Sequence, residues 1–370
     1  MRTLYVAAGG GGDAVGALLA RRALGDTDER PPLVTTCAWE RLRIDPVPGP
    51  RARADFTGLG LVGGELCEVL PSSDTVPSGR SVLPRLAETS GARVFLHDLD
   101  HGAVGLRNQL QQLAASLDVG KLVVIDVGGD IMARGAEPTL KSPLADSLTL
   151  AAALSAGLPT SVVVLGPGSD AELSETEVLG ILEEVGAAPV GAVTSDDTLT
   201  LSPVLSWHPT EATALVAAAS TGIRGAVAMR RGHVPVPITG RTSHLWRISH
   251  PTWKVFPLAN ALREKDSLLE AERVMRAIAV NEIDYERRVA VEGAVSRPSG
   301  AVSQLISDMQ AVGATHVTKR RIYESMGVHE IDENRERTGS ASPFVYSVDD
   351  LAHLTHSHNP CTSSDTNLQG

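Results

Sequence analysis

Residues 122–125 (Leu-Val-Val-Ile) run directly into Asp126, two glycines and a second acid, Asp130. A short apolar run closed by Gly and Asp reads as a buried strand of an α/β sheet, ending at the edge where such sheets keep their chemistry. Three more runs end comparably: 5–8 before GGGGDAVG, 94–96 before HDLDHG, and 162–165 before GPGSDAEL. Helical stretches lie between them, with apolar residues on one face. Strands alternating with helices at this spacing predict an α/β fold, a doubly wound, mostly parallel sheet with helices on both faces. The four strand ends are expected to share one rim, with Gly10, Asp98, Asp126 and Gly168 facing a common hollow.

The chain has 370 residues, 42% of them hydrophobic, enough for one large domain or two ordinary ones. Aromatics are only 3%, and the Ala, Val, Leu and Gly that replace them suit close helix-on-sheet layers. A formal charge of −11 argues against general affinity for nucleic acid or an anionic membrane. No apolar run is long enough to span a bilayer, and a strand entered by Leu4 leaves no room for a signal peptide. Cys37, Cys67 and Cys361 are too scattered for a disulfide framework or a CxxC metal site, so they read as small apolar residues. The expected setting is the cytoplasm, and the expected partner is a small-molecule ligand.

Residues 1–232 read as a Rossmann-like domain carrying the site. Within it, 33–38 is a strand, 45–51 (DPVPGPR) a rigid loop, and 59–70 a hairpin turning at Gly63-Gly64. Helices are expected near 82–90 and over 102–117. Ser142 with Pro143 starts another to about 156, and Ser174 with Glu177 forms a capping box for 174–185. His208-Pro209 opens a further helix to about 221, and 226–230 reads as a strand. After Gly232, prolines at 235, 237, 251 and 257 punctuate the chain. Residues 233–335 read as a smaller, mainly helical extension or lid, with helices over 262–280, 299–312 and 317–326. Segment 244–258, with Trp246, Trp253 and Phe256, suits a lid or an interface in a homo-oligomer equally. From 336 to 370 the periodicity fades, as in a mobile tail.

The glycines Gly9, Gly10, Gly11 and Gly12 sit between a strand and a helix, where backbone N–H groups can approach an anion. The run lacks the GK[ST] of a Walker loop and a complete dinucleotide fingerprint. Asp13 could cap the helix or hold a cation, but it repels a bare phosphate. Asp126 and Asp130 flank Gly128 and Gly129. Paired carboxylates suit a divalent cation such as Mg or Mn, or one raised pKa for acid–base work. Asp98 and Asp100 fall on one side of a strand end and are candidate metal ligands. His97 and His101 fall on the other side unless the chain bends. Gly166, Gly168 and Ser169 form a similar turn that could bind a ligand or simply reverse the chain. His208 is a candidate general base or a helix cap, and Asp146 lies in the first turn of the 142–156 helix. His356 and His358 read as solvated tail residues. No GxSxG or HExxH is present, which leaves serine-hydrolase and zinc-peptidase readings without support.

Two of these turns, GGDAVG and VGGDI, loosely match the glycine–aspartate turns of phosphofructokinase-type sites, which suggests a mode of ligand binding and not kinship. GGGGDAVGA (9–17), DPVPGPR (45–51), DVGGDIMARGAE with SPLADS (126–147) and SWHPTEA (206–212) together resemble a bacterial and archaeal family, domain of unknown function number 1152. The resemblance spans roughly 1–230. It implies an α/β protein with these strand-end residues in one cleft, and it carries no activity with it. The residues favour an enzyme acting on a small anionic metabolite, a nucleotide or phosphorylated sugar, by hydrolysis or group transfer. Asp126, Asp130 and His208 would be catalytic. A non-catalytic metabolite-binding protein and a metal-dependent amide or amidine hydrolase are the alternatives.

Overall fold

The computed structural model describes residues 1–63, 66–229, 234–292, 302–326 and 344–356. Among them, nine strands form one sheet. In chain order these are β1 (Arg2–Ala7), β2 (Leu33–Cys37), β3 (Gly60–Val62), β4 (Leu66–Val69), β5 (Arg93–His97), β6 (Val119–Val127), β7 (Thr160–Leu165), β8 (Ala188–Ala192) and β9 (His244–Ile248). Across the sheet they run β8-β9-β7-β6-β1-β2-β5-β4-β3. The core β7-β6-β1-β2-β5 is parallel, and antiparallel pairings begin at β9 and at β4. The hairpin read from 59–70 is the β3–β4 pair, whose turn lies outside the described residues.

The central strands are apolar on both faces because helices cover both. Leu4, Val6, Leu122 and Val124 face one hydrophobic cluster, and Tyr5, Ala7, Val123 and Ile125 face the other. Helices α1 (Gly11–Ala23) and α2 (Leu83–Ser90) pack on the second face, and α3 (Gly102–Leu117) and α4 (Pro143–Ser155) on the first. Helix α5 (Glu175–Glu184) starts with the expected box: Ser174 Oγ accepts from Glu177 N–H while the Glu177 carboxylate accepts from Ser174 N–H. Helix α6 (Ala212–Ser220) begins at Glu211, so His208 lies in the turn before it and not at its cap. Ser142 does not cap α4 with its hydroxyl, which donates instead to Glu172.

The boundary at 232 does not divide the fold. Strand β9, which follows it, inserts between β7 and β8, and Phe256 is buried in the main core. Segment 244–258 is therefore part of the sheet layer and not a lid. Helices α7 (Leu268–Ile278) and α8 (Glu282–Glu292) follow the short helix Pro257–Leu262 and bury Leu262, Ala271, Met275 and Ile283 in the core on the α3–α4 face. A second sheet has the strand order Val236–Ile238, Gly225–Ala228, His316–Thr318, Val345–Ser347. Helices Val302–Ala311, Lys319–Met326 and Val348–His356 complete that layer. The expected tail thus contributes a strand and a helix up to His356, with Val345 and Val348 buried. Residues 336–343 and 357–370, including His358 and Cys361, lie outside the described residues. Cys37 and Cys67 are buried and unbonded to each other.

Candidate functional site

Strand β1 is flanked by β2 on one side and β6 on the other. The chain winds outward to β2 and β5, then crosses β1 and winds outward again through β6 and β7. Reversal of this kind opens a crevice beyond the carboxyl ends of the two strands at the switch, because the following helices leave on opposite faces. A cleft with about 990 Å³ of empty space lies there. It is lined by Gly9–Gly12 and Asp13 after β1, by Trp39, Glu40 and Arg41 after β2, and by Val127 and Asp130 after β6. Ser142, Ala145 and Asp146 of the α4 start, Asp170 and Glu172 after β7, His208–Ala212, Glu282 and Glu286 of α8, and Arg320 complete it, with Ile44.

The floor is a carboxylate cluster. One oxygen from each of Asp13, Asp126 and Asp146 lies within 4.8 Å of the others. Asp126 is fully buried, and among the described residues neither of its oxygens has a hydrogen-bond partner of normal geometry. Burial pushes its carboxyl well above the usual range, Asp13 and Asp170 add to this, and Asp130 and the Gly129 N–H offset it in part. Burial raises Asp130 and Asp146 likewise, reinforced by their acidic neighbours. Three carboxyls this close cannot all ionise alone, whereas a divalent cation between them would favour the ionised form of each.

Two helix N-termini face this floor. That of α4 is closed by protein carboxylates: Glu172 Oε2 accepts from Lys141 N–H (2.7 Å) and Ser142 N–H (2.9 Å), and Glu282 Oε1 from Leu144 N–H (3.0 Å). The α1 N-terminus has no side-chain cap among the described residues. Its Asp13 carboxylate turns back to accept from Gly9 N–H at 2.8 Å. The first-turn amides of α1 therefore remain for a ligand. Side chains on these glycines would meet protein: a Cβ on Gly10 would come within 2.9 Å of the Trp39 carbonyl, and one on Gly11 within 2.6 Å of Val82.

His208 is buried, and its Nδ1 accepts from Thr210 N–H at 3.2 Å. The neutral ring then carries its proton on Nε2. Nε2 has no partner among the described residues and lies near Gly11. Burial, aided by Arg85, lowers the ring to about 3. His208 is thus a hydrogen-bond donor to the cleft and not the general base expected from the sequence.

The chain matches the family described as "Protein of unknown function (DUF1152)" over residues 4–290. It belongs to that family. No curated protein and no solved structure matches it. The DUF1152 match takes in every cleft residue except Arg320, which comes from the helix Lys319–Met326 and lies 3.8 Å from Glu211 and 3.2 Å from Glu324. The 45–51 loop supports the cleft without lining it. Asp45 and Arg51 form a buried two-bond ion pair, both bonds 2.6 Å, and the loop's Gly49 N–H donates to Glu286 Oε2 at 2.8 Å.

Of the residues singled out in the sequence, the structure gathers Gly9–Gly12, Asp13, Asp126, Asp130, Asp146 and His208. It does not bring the others to the cleft. Asp98 ends β5, away from the switch point, and its carboxylate accepts from the Arg53 and Asp100 N–H groups while Asp100 is exposed. His97 is buried, and His101 precedes α3. Gly128 and Gly129 serve protein packing and not ligand approach: Cβ atoms there would fall 2.2 Å from Asp170 and 2.6 Å from Val178. Both have positive φ, +126° and +113°, and Gly128 O accepts from Gly168 N–H at 2.7 Å. Gly168 is likewise filled by Glu175 backbone and Gly166 by Val216 and the Thr242 carbonyl, while Ser169 is buried behind the lining. The reading missed Glu40, Asp170, Glu172, Glu211, Glu282 and Glu286. Glu282 and Glu286 were detectable as an i, i+4 acidic pair on one helix face. Asp170 stood in the GPGSD turn beside the serine that was chosen.

Proposed function

We propose that this chain is an enzyme acting, by hydrolysis or group transfer, on a small anionic molecule held as its complex with Mg²⁺ or Mn²⁺. The observation carrying this is the Asp13–Asp126–Asp146 cluster at the sheet's switch point, with both Asp126 oxygens buried and unpartnered. A bare anion would be repelled by so acidic a floor, so the cation is what makes anion binding possible. In this reading the three aspartates hold the cation, and the uncapped α1 N-terminus takes the anion's oxygens. His208 Nε2–H donates to an oxygen that gains charge in the reaction, and Asp130, kept protonated by burial, exchanges the proton.

The test is calorimetric titration with Mn²⁺, then with pyrophosphate in its presence and absence, followed by release of phosphate. Mn²⁺ should bind near one per chain, and pyrophosphate only in its presence. Asp126→Asn should weaken Mn²⁺ at least as much as the ~10–100-fold lost when a metal ligand's supporting partner is removed. Pyrophosphate binding that ignores the metal would rule the reading out, and metal-dependent binding without turnover of any phosphate ester would make the chain a binding protein.

A further inference from the structure

The cleft's carboxylates differ in how fully the protein uses them. Glu172 engages both oxygens, one on two backbone N–H groups and the other on Ser142 Oγ. Glu286 accepts from Trp39 Nε1 and Gly49 N–H. Glu40 accepts from Val82 N–H and Ser81 Oγ. Glu282 is different: its Oε1 holds Leu144 N–H, while its Oε2 is buried and has no partner among the described residues. Capping α4 explains one oxygen and leaves the other unexplained, although an unpaired buried acceptor is costly to keep. Glu282 lines the cleft, opposite the glycine turn in chain order and on a different element from the aspartate cluster.

The charge balance points the same way. The lining holds acids from β1, β2, β6, β7, α4 and α8, against the guanidiniums of Arg41 and Arg320. One divalent cation on Asp13, Asp126 and Asp146 leaves Glu282 and its neighbour Glu172 uncompensated. Their mutual repulsion contributes, after burial, to raising Glu282 to about 8. A purely anionic ligand does nothing for this end of the cleft. A donor carrying positive charge would satisfy Glu282 Oε2 and offset the excess acid together.

We infer that the substrate carries a protonated amine as well as its anionic group, and that Glu282 Oε2 receives that amine. The inference rests on the cation-and-anion reading above and adds the second half of the substrate: an aminoalkyl phosphate or a related amino-bearing acid. Glu282 is then a specificity residue, placed by its bond to the α4 N-terminus and contributed by a helix from the later part of the family match.

The experiment compares matched probes on the whole chain at saturating Mn²⁺: 2-aminoethyl phosphate against ethyl phosphate, and 4-aminobutyl phosphate against butyl phosphate. In the wild-type protein at least one amine should bind tenfold or more tightly than its amine-free partner. Glu282→Gln keeps an oxygen for Leu144 N–H and should abolish that preference, with the affinity for ethyl and butyl phosphate unchanged. Equal binding of amine and amine-free probes overturns the inference and leaves the cation-and-anion reading intact. A preference that survives Glu282→Gln overturns the assignment to this residue. Failure of all four probes to bind removes both readings. The wild-type comparison stands even where the variant does not fold.

Discussion

His208 shows how one hydrogen bond sets a residue's chemistry. With Nδ1 accepting from Thr210 N–H, the proton sits on Nε2, and burial beside Trp207 and Arg85 resists a second one. Nitrogen-15 NMR of the imidazole between pH 5.5 and 8 should therefore show one unchanging neutral ring protonated at Nε2. A titration centred near the ordinary histidine value of ~6.5 would show that the ring is solvated and able to act as a base. The sequence made His208 visible by placing it before a helix. It could not indicate the tautomer, which depends on a backbone N–H two residues on. Asp126 was legible for a simpler reason, since an acid closing a fully apolar strand has no solvent to face. Gly128 and Gly129 misled because a glycine required by protein packing and one required by a ligand look the same in a sequence. Only the positions of Asp170 and Val178 separate the two.

At the scale of elements, the parallel core could be read because each strand is a short apolar run ended by a turn, and β1, β2, β5, β6 and β7 all obey that pattern. Strand β9 could not. It is short, it carries Trp246 and Arg247 in a proline-punctuated stretch, and it pairs antiparallel with a strand nearly eighty positions earlier. Such pairing leaves no local signal. Glu282 and Glu286 were lost with it, because the region they follow was taken as a lid. The contact between α1 and β6 is a close one that can be tested directly. A Cβ on Gly16 would lie 2.2 Å from Val127 Cγ2. Gly16→Ala gains up to ~1 kcal/mol in helix propensity, yet overpacking of ~1–3 kcal/mol opposes it, and the branched Val127 on a central strand has little room to yield. Net destabilisation in urea unfolding is expected, together with weaker Mn²⁺ binding, because α1 also carries Asp13. A variant as stable as wild type would mean that the layers can separate without cost. The Asp45–Arg51 pair gives a second measure of support around the cleft. Arg51→Met leaves Asp45 buried without its partner and should cost about 3–5 kcal/mol, the range for breaking a buried pair from one side.

For the whole molecule, the gathering of buried acids at the sheet's switch point ties stability to both pH and cation. Glu40 and Glu282 are raised in the folded chain to about 7 and about 8, and Asp126, Asp130 and Asp146 are raised as well, burial being the main cause in each. A carboxyl with a raised folded value binds more protons folded than unfolded between its two pKa values. Its stabilising contribution is thus complete below the unfolded value, near 4–4.5, and disappears as pH climbs through the folded value. Without added cation, the melting temperature should fall steadily from pH 5 to pH 8.5, the reverse of a chain whose acids are paired with bases. A divalent cation binds the ionised carboxylates, so its affinity should rise over the same interval and protons should be released on binding. Saturating Mn²⁺ should then flatten the slope or invert it, with the largest gain in melting temperature at the alkaline end. Scanning calorimetry at four pH values, with EDTA and with excess Mn²⁺, measures both trends. Asp126→Asn should reduce the cation's effect and make the metal-free slope shallower, since the amide has no proton to lose. If the metal-free protein instead gains stability toward pH 8, the acids of the cleft are already ionised and solvated, and the switch point does not hold the desolvated cation site on which the proposed chemistry depends.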